Sequence, residues 1–240
     1  TGTVNLLSTD SSTIDSISVG VSASGLAAAG AALSENHIQN SVSAGIEGSH
    51  VEADGNIEAY AKSAAVIRSL AAGLSGAGGV SGAASVTLNQ IRNNITAFAS
   101  GSTLISNNGY IIINAVDSAD NASDYMSGMT MPNNVSSSLN SKLSDTEHAS
   151  SANILSFAGS IGGAGLAAGA AAVSDNDIQN TVSAAVTDSD ITSTASDITV
   201  FAQSDSKIVS MSLGIGAAGG IALSASETSN RIKNSIDASI

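Results

Sequence analysis

Apolar and polar residues alternate with a period of two in four short stretches: GTVNLLS (2–8), GNIEAYA (55–61), GYIIINA (109–115) and SDITVFA (196–202). That period predicts half-buried β-strands. Each is followed by a longer Ile/Val/Ser alternation, as in IDSISVGVSASG (14–25), and then by an Ala/Gly run, as in LAAAGAALS (26–34). An Asn-x-Ile-x-Asn frame comes next, with a tail such as SVSAGI (41–46). A Gly, Asn or Asp turn closes the unit.

The frame occurs four times, as Asn36–Ile38–Asn40, Asn89–Ile91–Asn93, Asn176–Ile178–Asn180 and Asn230–Ile232–Asn234. Its last asparagines are 53, 87 and 54 residues apart. The first positions of the opening alternations, Gly2, Gly55, Gly109 and Ser196, are 53, 54 and 87 apart. Two unrelated motifs thus share one spacing, which marks an internal repeat. The units are about 1–54, 55–108, 109–195 and 196–240. The third carries 87 − 54 = 33 extra residues between Ala115 and Ile178, placed near 119–150. That insertion holds Pro132, the single proline, and Tyr125, Met126, Met129 and Met131, which make it a candidate recognition segment.

The expected fold is therefore all-β: a parallel β-solenoid of four repeats of about 54 residues with one protruding insertion. Whether one unit is a single wide coil or two smaller ones is open at this point. Stacked units place cognate residues about 4.8 Å apart, so identical side chains form columns. Asn36, Asn89, Asn176 and Asn230 are expected in one amide ladder, and Asn40, Asn93, Asn180 and Asn234 in another. Ile38, Ile91, Ile178 and Ile232 are expected to fill the interior beside them. A strictly extended frame turns both asparagines inward with the isoleucine, so we expect a corner there, where asparagine can satisfy turn backbone.

Composition narrows the picture. Aromatics are 2 %, tryptophan and cysteine are absent, and there are 24 glycines. The core must be built from small and branched side chains in thin layers, without disulfides. Net charge is −13 with seven scattered basic residues, which excludes a phosphate-neutralising face for nucleic acid and disfavours an anionic membrane surface. The stretch 155–173 is uncharged and has small-xxx-small spacing. Its Gly/Ala content and Ser-interrupted cognates favour strands over a membrane span.

Candidate chemistry is sparse. His37, His50 and His148 do not converge as metal ligands. Asp175 with Asp177, and Asp188 with Asp190, are the carboxylate pairs a Ca²⁺ would use, yet no Ca²⁺-loop spacing surrounds them. GAGGVSG (76–82) lacks the Lys-Ser/Thr ending of a phosphate loop. We expect no enzyme activity and no cofactor, with Ca²⁺ the one candidate ion.

The unit, in the order Ala/Gly run, Asn-x-Ile-x-Asn-x-Val-x-Ala, turn and Ile-x-Ala-x-Ala, resembles repeats of very large exported bacterial adhesin-like proteins. The leukotoxin-type and filamentous-haemagglutinin-type β-strand repeats are the nearest kind. The resemblance covers the chain outside the insertion and implies a non-catalytic structural or adhesive segment, extracellular or at the cell surface. Membrane-active, toxin-like and glycan-binding roles are the alternatives. The chain opens at TGTVNLLS and closes at RIKNSIDASI without a capping segment. From this we expect a section of a longer array whose partners are end-to-end neighbours, with a host or neighbouring-cell surface as a further partner.

Overall fold

The computed structural model describes residues 2–119 and 152–240, and these form a parallel β-solenoid. One repeat is one wide coil, with five strands in each of the first three coils and four in the last. The first coil comprises β1 (Val4–Asp10), β2 (Thr13–Ser24), β3 (Ala27–Ile38), β4 (Ser41–Glu47) and β5 (His50–Ala53). The second comprises β6 (Ile57–Ser63), β7 (Val66–Ala77), β8 (Val80–Ile91), β9 (Asn94–Ser100) and β10 (Thr103–Ser106). The third comprises β11 (Ile111–Asp117), β12 (Ile154–Ala164), β13 (Ala167–Ile178), β14 (Thr181–Thr187) and β15 (Asp190–Ser193). The fourth comprises β16 (Ile198–Ser204), β17 (Ile208–Ala218), β18 (Ile221–Ile232) and β19 (Ser235–Ser239). Cognate strands pair in parallel, giving five sheets that run along the stack.

The sequence spacing reappears as strand register. Val4 pairs with Ile57, Ile57 with Ile111 and Ile111 with Ile198. Asp117 stands opposite Ser63, an offset of 54, whereas Ile154 stands opposite Ile67, an offset of 87. The extra 87 − 54 = 33 residues therefore enter between β11 and β12. Tyr125, Met126, Met129 and Met131 lie outside the described residues.

Each coil has two parts of different physical character. The sheets of β1, β4 and β5 enclose an apolar prism. Its filling is aliphatic, with Ile57, Ile95, Leu104, Ile113 and Val182 completely buried. The sheets of β2 and β3 instead pack face to face as a thin, two-layer arm. β2 runs out along the arm, the chain turns at Gly25, and β3 returns. Between prism and arm lies a band of isoleucine. Ile38, Ile91 and Ile178 pack against Ile67 and Ile154, with Ile14 and Ile208 at the ends.

The Ile/Val/Ser alternation of β2 does not turn its larger side chains inward. Ser16, Ser18 and Gly20 face the arm interior, while Ile17, Val19 and Val21 point outward and are 57–70 % exposed. The reason lies in the partner sheet. A Cβ added at Gly20 would collide with the carbonyl of Ala31, at Gly73 with that of Ala84, and at Gly214 with that of Ala225. The two backbones are close enough that only Gly, Ala and Ser fit between them. This separation is well under the roughly 10 Å of ordinary sheet packing.

The thin interior has one cost. The Ser75, Ser81, Ser85 and Ser160 hydroxyls are buried without a hydrogen-bond partner. A matched pair of variants tests this packing. Gly73→Ala should destabilise by about 1–3 kcal/mol, because the added methyl meets backbone rather than a movable side chain. Ser85→Ala, which copies its column neighbours Ala32 and Ala172, should be neutral or stabilising by about 1 kcal/mol, since it removes an unsatisfied hydroxyl. Thermal melts of the two variants check both signs. Equal losses would mean that the sheets are not in close contact.

Candidate functional site: the asparagine corner

The Asn-x-Ile-x-Asn frame spans the end of β3 and the corner into β4, and likewise in each later coil. Its first asparagine and its isoleucine lie on the inner face of the strand. Asn36, Asn89 and Asn176 are buried, as are Ile38, Ile91 and Ile178. Nδ2 of Asn36 donates to Oδ1 of Asn89 at 2.8 Å, Asn89 to Asn176 at 2.7 Å, and Asn176 to Asn230 at 2.9 Å. The remaining amide hydrogen goes to a serine: Ser34 at 3.0 Å, Ser69 at 2.8 Å and Ser174 at 3.1 Å. Both hydrogens of each of these three amides are thus used within the interior.

The serines extend this ladder across the arm. Thr87 contacts Ser156 at 2.7 Å and donates to Ser174 at 3.0 Å, and Ser16 contacts Ser34 at 2.6 Å. A hydroxyl layer therefore separates the isoleucine band from the Gly/Ala interior.

The second asparagine behaves differently. It sits beyond the strand end, and its column is not an amide-to-amide ladder. Oδ1 of Asn93 accepts from the backbone N–H of Asn40 at 3.0 Å, Asn180 from that of Asn93 at 2.7 Å, and Asn234 from that of Asn180 at 2.9 Å. At the corner the backbone N–H turns away from the strand ladder, and the side chain one coil on supplies the missing acceptor. Each Nδ2 reaches across to the corner between the first two strands of its coil. Asn40 donates to Asp10 (2.9 Å) and Ser12 (2.8 Å), Asn93 to Ser63 (3.0 Å), and Asn180 to Asp117 (2.8 Å). In that facing column Asp10, Ser63, Asp117 and Ser204 alternate, so no two carboxylates are stacked on adjacent coils.

A serine column at the β4–β5 corner does the same work. Oγ of Ser102 accepts from the Ser49 N–H at 3.1 Å, and Oγ of Ser189 from the Ser102 N–H at 3.0 Å. The preceding residues, Gly48, Gly101 and Asp188, all have positive φ, at 56°, 57° and 49°. Glycine suits that turn, and aspartate is among the few other residues that adopt it readily.

Outside the corner a shallow polar groove of about 490 Å³ crosses Gln39, Arg92 and Gln179, with Asn94 and Thr181 on its far side. Asp177, which does not line the groove, accepts from Gln90 (3.2 Å) and Gln179 (2.8 Å) and pairs with Arg92 at 3.7 Å. Its partner in sequence, Asp175, points outward from β13, and Asp190 starts β15 near Asp188 at the other corner. Among the described residues no group of three or more His, Cys, Asp or Glu side chains is placed to hold a metal ion. His37 and His50 are exposed on β3 and β5, on separate sheets, and His148 lies outside the described residues. On the outer face of the β1-type sheet, Tyr110 donates to Glu58 at 2.6 Å, and this bond raises the phenol pKa above its usual value.

No family model, curated protein or solved structure matches the chain. Among the described residues no helix is long and apolar enough to cross a membrane.

The two buried columns can be tested side by side. Ile91→Ala should cost roughly 2–5 kcal/mol by opening a cavity in the isoleucine band. Asn89→Ala should cost a comparable amount, about 2–5 kcal/mol, because it leaves Asn36 without its acceptor and Asn176 without its donor, both in the interior. Denaturant melts of each variant decide. A change within error for Asn89→Ala would show that water replaces the ladder and that the column is not dry.

Proposed function

We propose that this chain is a structural, non-catalytic segment of an exported bacterial β-solenoid of the adhesin or extracellular-filament kind, extracellular or attached to the cell surface. One observation carries the reading: asparagine side-chain bonds tie each coil to the next through all four coils in constant register. Such columns resist shear between coils, because sliding one coil past another breaks every rung of the ladder together. They need no cysteine, so the same stiffness holds in any redox compartment.

End-to-end neighbours are the proposed partners. β1–β5 and β16–β19 are each paired on one side only, and open strand edges template association. The polar groove across Gln39, Arg92 and Gln179 favours a second reading, a glycan-binding module. Its planar amides and guanidinium recur at the coil spacing and suit hydroxyl recognition.

Electron microscopy and light scattering of the purified 240-residue chain test the first reading. The expected result is concentration-dependent growth into rods along the stacking axis, with no leakage from neutral liposomes. A persistent monomer that releases liposome contents would reject it. A monomer that instead binds a glycan array, and loses that binding in Arg92→Ala, would establish the second.

A further inference from the structure

The arm is inside out. Its interior is Gly, Ala and Ser, while its larger apolar side chains stand on the outer faces, where Leu70 and Phe157 are buried and Ile17, Val21, Ile161 and Ile215 are exposed. On the β2-type sheet the outward positions 17, 19, 21 and 23 and their cognates in the next three coils carry no polar side chain at all. The column Val21, Leu74, Ile161 and Ile215 stands up as a ridge parallel to the stacking axis, with Val21 70 % and Ile215 42 % exposed.

The opposite face of the same arm has the complementary shape. On the β3-type sheet, Ala29, Gly82 and Gly169 and the neighbouring Ala31, Ala84 and Ala171 floor a shallow apolar trough of about 510 Å³. It also runs parallel to the axis. Ridge and trough lie back to back: Gly20 meets Ala31 through the arm and Gly162 meets Gly169, so Ile161 stands behind the middle of the trough.

We infer that a second copy of this chain docks on the arm, with the ridge of one copy seated in the trough of the next. Both features repeat at the strand spacing of about 4.8 Å, so a translation perpendicular to the arm matches them over the first three coils, while in the fourth Leu223, 69 % exposed, stands where the trough would continue. The chain carries a charge of −13, and the uncharged ridge is where copies can approach with least repulsion. The ridge face measures roughly 26 Å by 19 Å, about 500 Å², from the strand rise and spacing. A stable interface takes about 800 Å² per partner. One junction is therefore reversible, and an inner copy that uses both faces is held more firmly. The contact is heterologous and does not close. It produces side-by-side stacks, distinct from growth along the axis.

The chain has no cysteine, so directed cross-linking is clean. One sample carries Ile161→Cys on the ridge, a second Ala171→Cys in the trough, and a third Thr181→Cys on the exposed face of β14 as control. On mild oxidation the mixture of the first two should form disulfide dimers about tenfold faster than either alone or either with the control, as expected for paired proximity. Ile161→Glu should abolish side-by-side stacks by placing a charge in the contact, while leaving axial rods unchanged by microscopy. Equal cross-linking rates in all mixtures would overturn the inference. So would dominant self-pairing of the Ile161→Cys variant. A monomeric Ile161→Cys variant whose new thiol is shielded from thiol reagents would overturn it too, by putting another part of this chain over the ridge.

Discussion

Every feature of this molecule depends on the in-register parallel pairing of one coil on the next. Between paired strands that pairing satisfies the backbone automatically, since each N–H meets a C=O of the neighbouring strand, whose axis lies about 4.8 Å away. It also forces each side chain onto its cognate. A residue that tolerates its own kind is rewarded in every coil, and one that does not is penalised in every coil. Asparagine carries a donor and an acceptor in one planar group, so it can pass a hydrogen bond along a column indefinitely. Isoleucine columns gain by repeated shape. Aspartate cannot stack on itself, and the alternation of Asp10, Ser63, Asp117 and Ser204 is the arrangement that charge repulsion permits.

Corners are where pairing alone fails. There the backbone leaves the strands, and the N–H groups of Asn40, Asn93 and Asn180 meet a side-chain acceptor on the next coil in place of a carbonyl. Asparagine at positions 40, 93, 180 and 234 and serine at 49, 102 and 189 form the columns that bridge this gap, each lending an acceptor to the coil beneath where one exists. The two residue types divide the work by reach. The asparagine amide also spans to the facing corner and ties it down, as from Asn180 to Asp117. The serine hydroxyl is too short for that and stays at its own corner, donating from Ser102 to the carbonyl of Ser100 at 2.9 Å, with that of Ile46 on the preceding coil at 3.4 Å. One set of corners is therefore cross-braced, and the other is a simple bend.

The all-β, parallel, stacked character of the chain was legible because two motifs shared one spacing and strands alternate with a period of two. The asparagine columns stood out since Asn and Ile recur at fixed positions while their neighbours vary. The serine corner was not legible for the opposite reason: serine is so common here that a column of Ser49, Ser102 and Ser189 looks like background. Its one signal was the preceding Gly48, Gly101 and Asp188. Nor did the frame reveal that its two asparagines bond differently. That follows from Ile38 being the last residue of β3, a boundary that the alternation alone does not fix. The single coil per repeat was equally hidden, because turn residues mark where strands end but not which strands share a layer.

The orientation of the arm was the deepest ambiguity, and it explains the composition. An alternating strand defines two faces without saying which is buried. In the prism the larger face turns inward, as Ile57 and Ile113 do. In the arm it turns outward, because the facing backbone at Ala31 and Ala84 leaves no room for a branched side chain at Gly20 or Gly73. A two-layer arm with Ile and Val inside would be thicker, and its tip at Gly25 would need a longer turn. Gly and Ala inside allow the tight turn that is present. They bury little apolar area per residue, however, and the hydrophobic return scales with that area. The arm is therefore held by its strand ladders and its hydroxyl layer, and anchored by the isoleucine band at its base. Its outer ridge leaves Val21, Ile161 and Ile215 as exposed apolar surface.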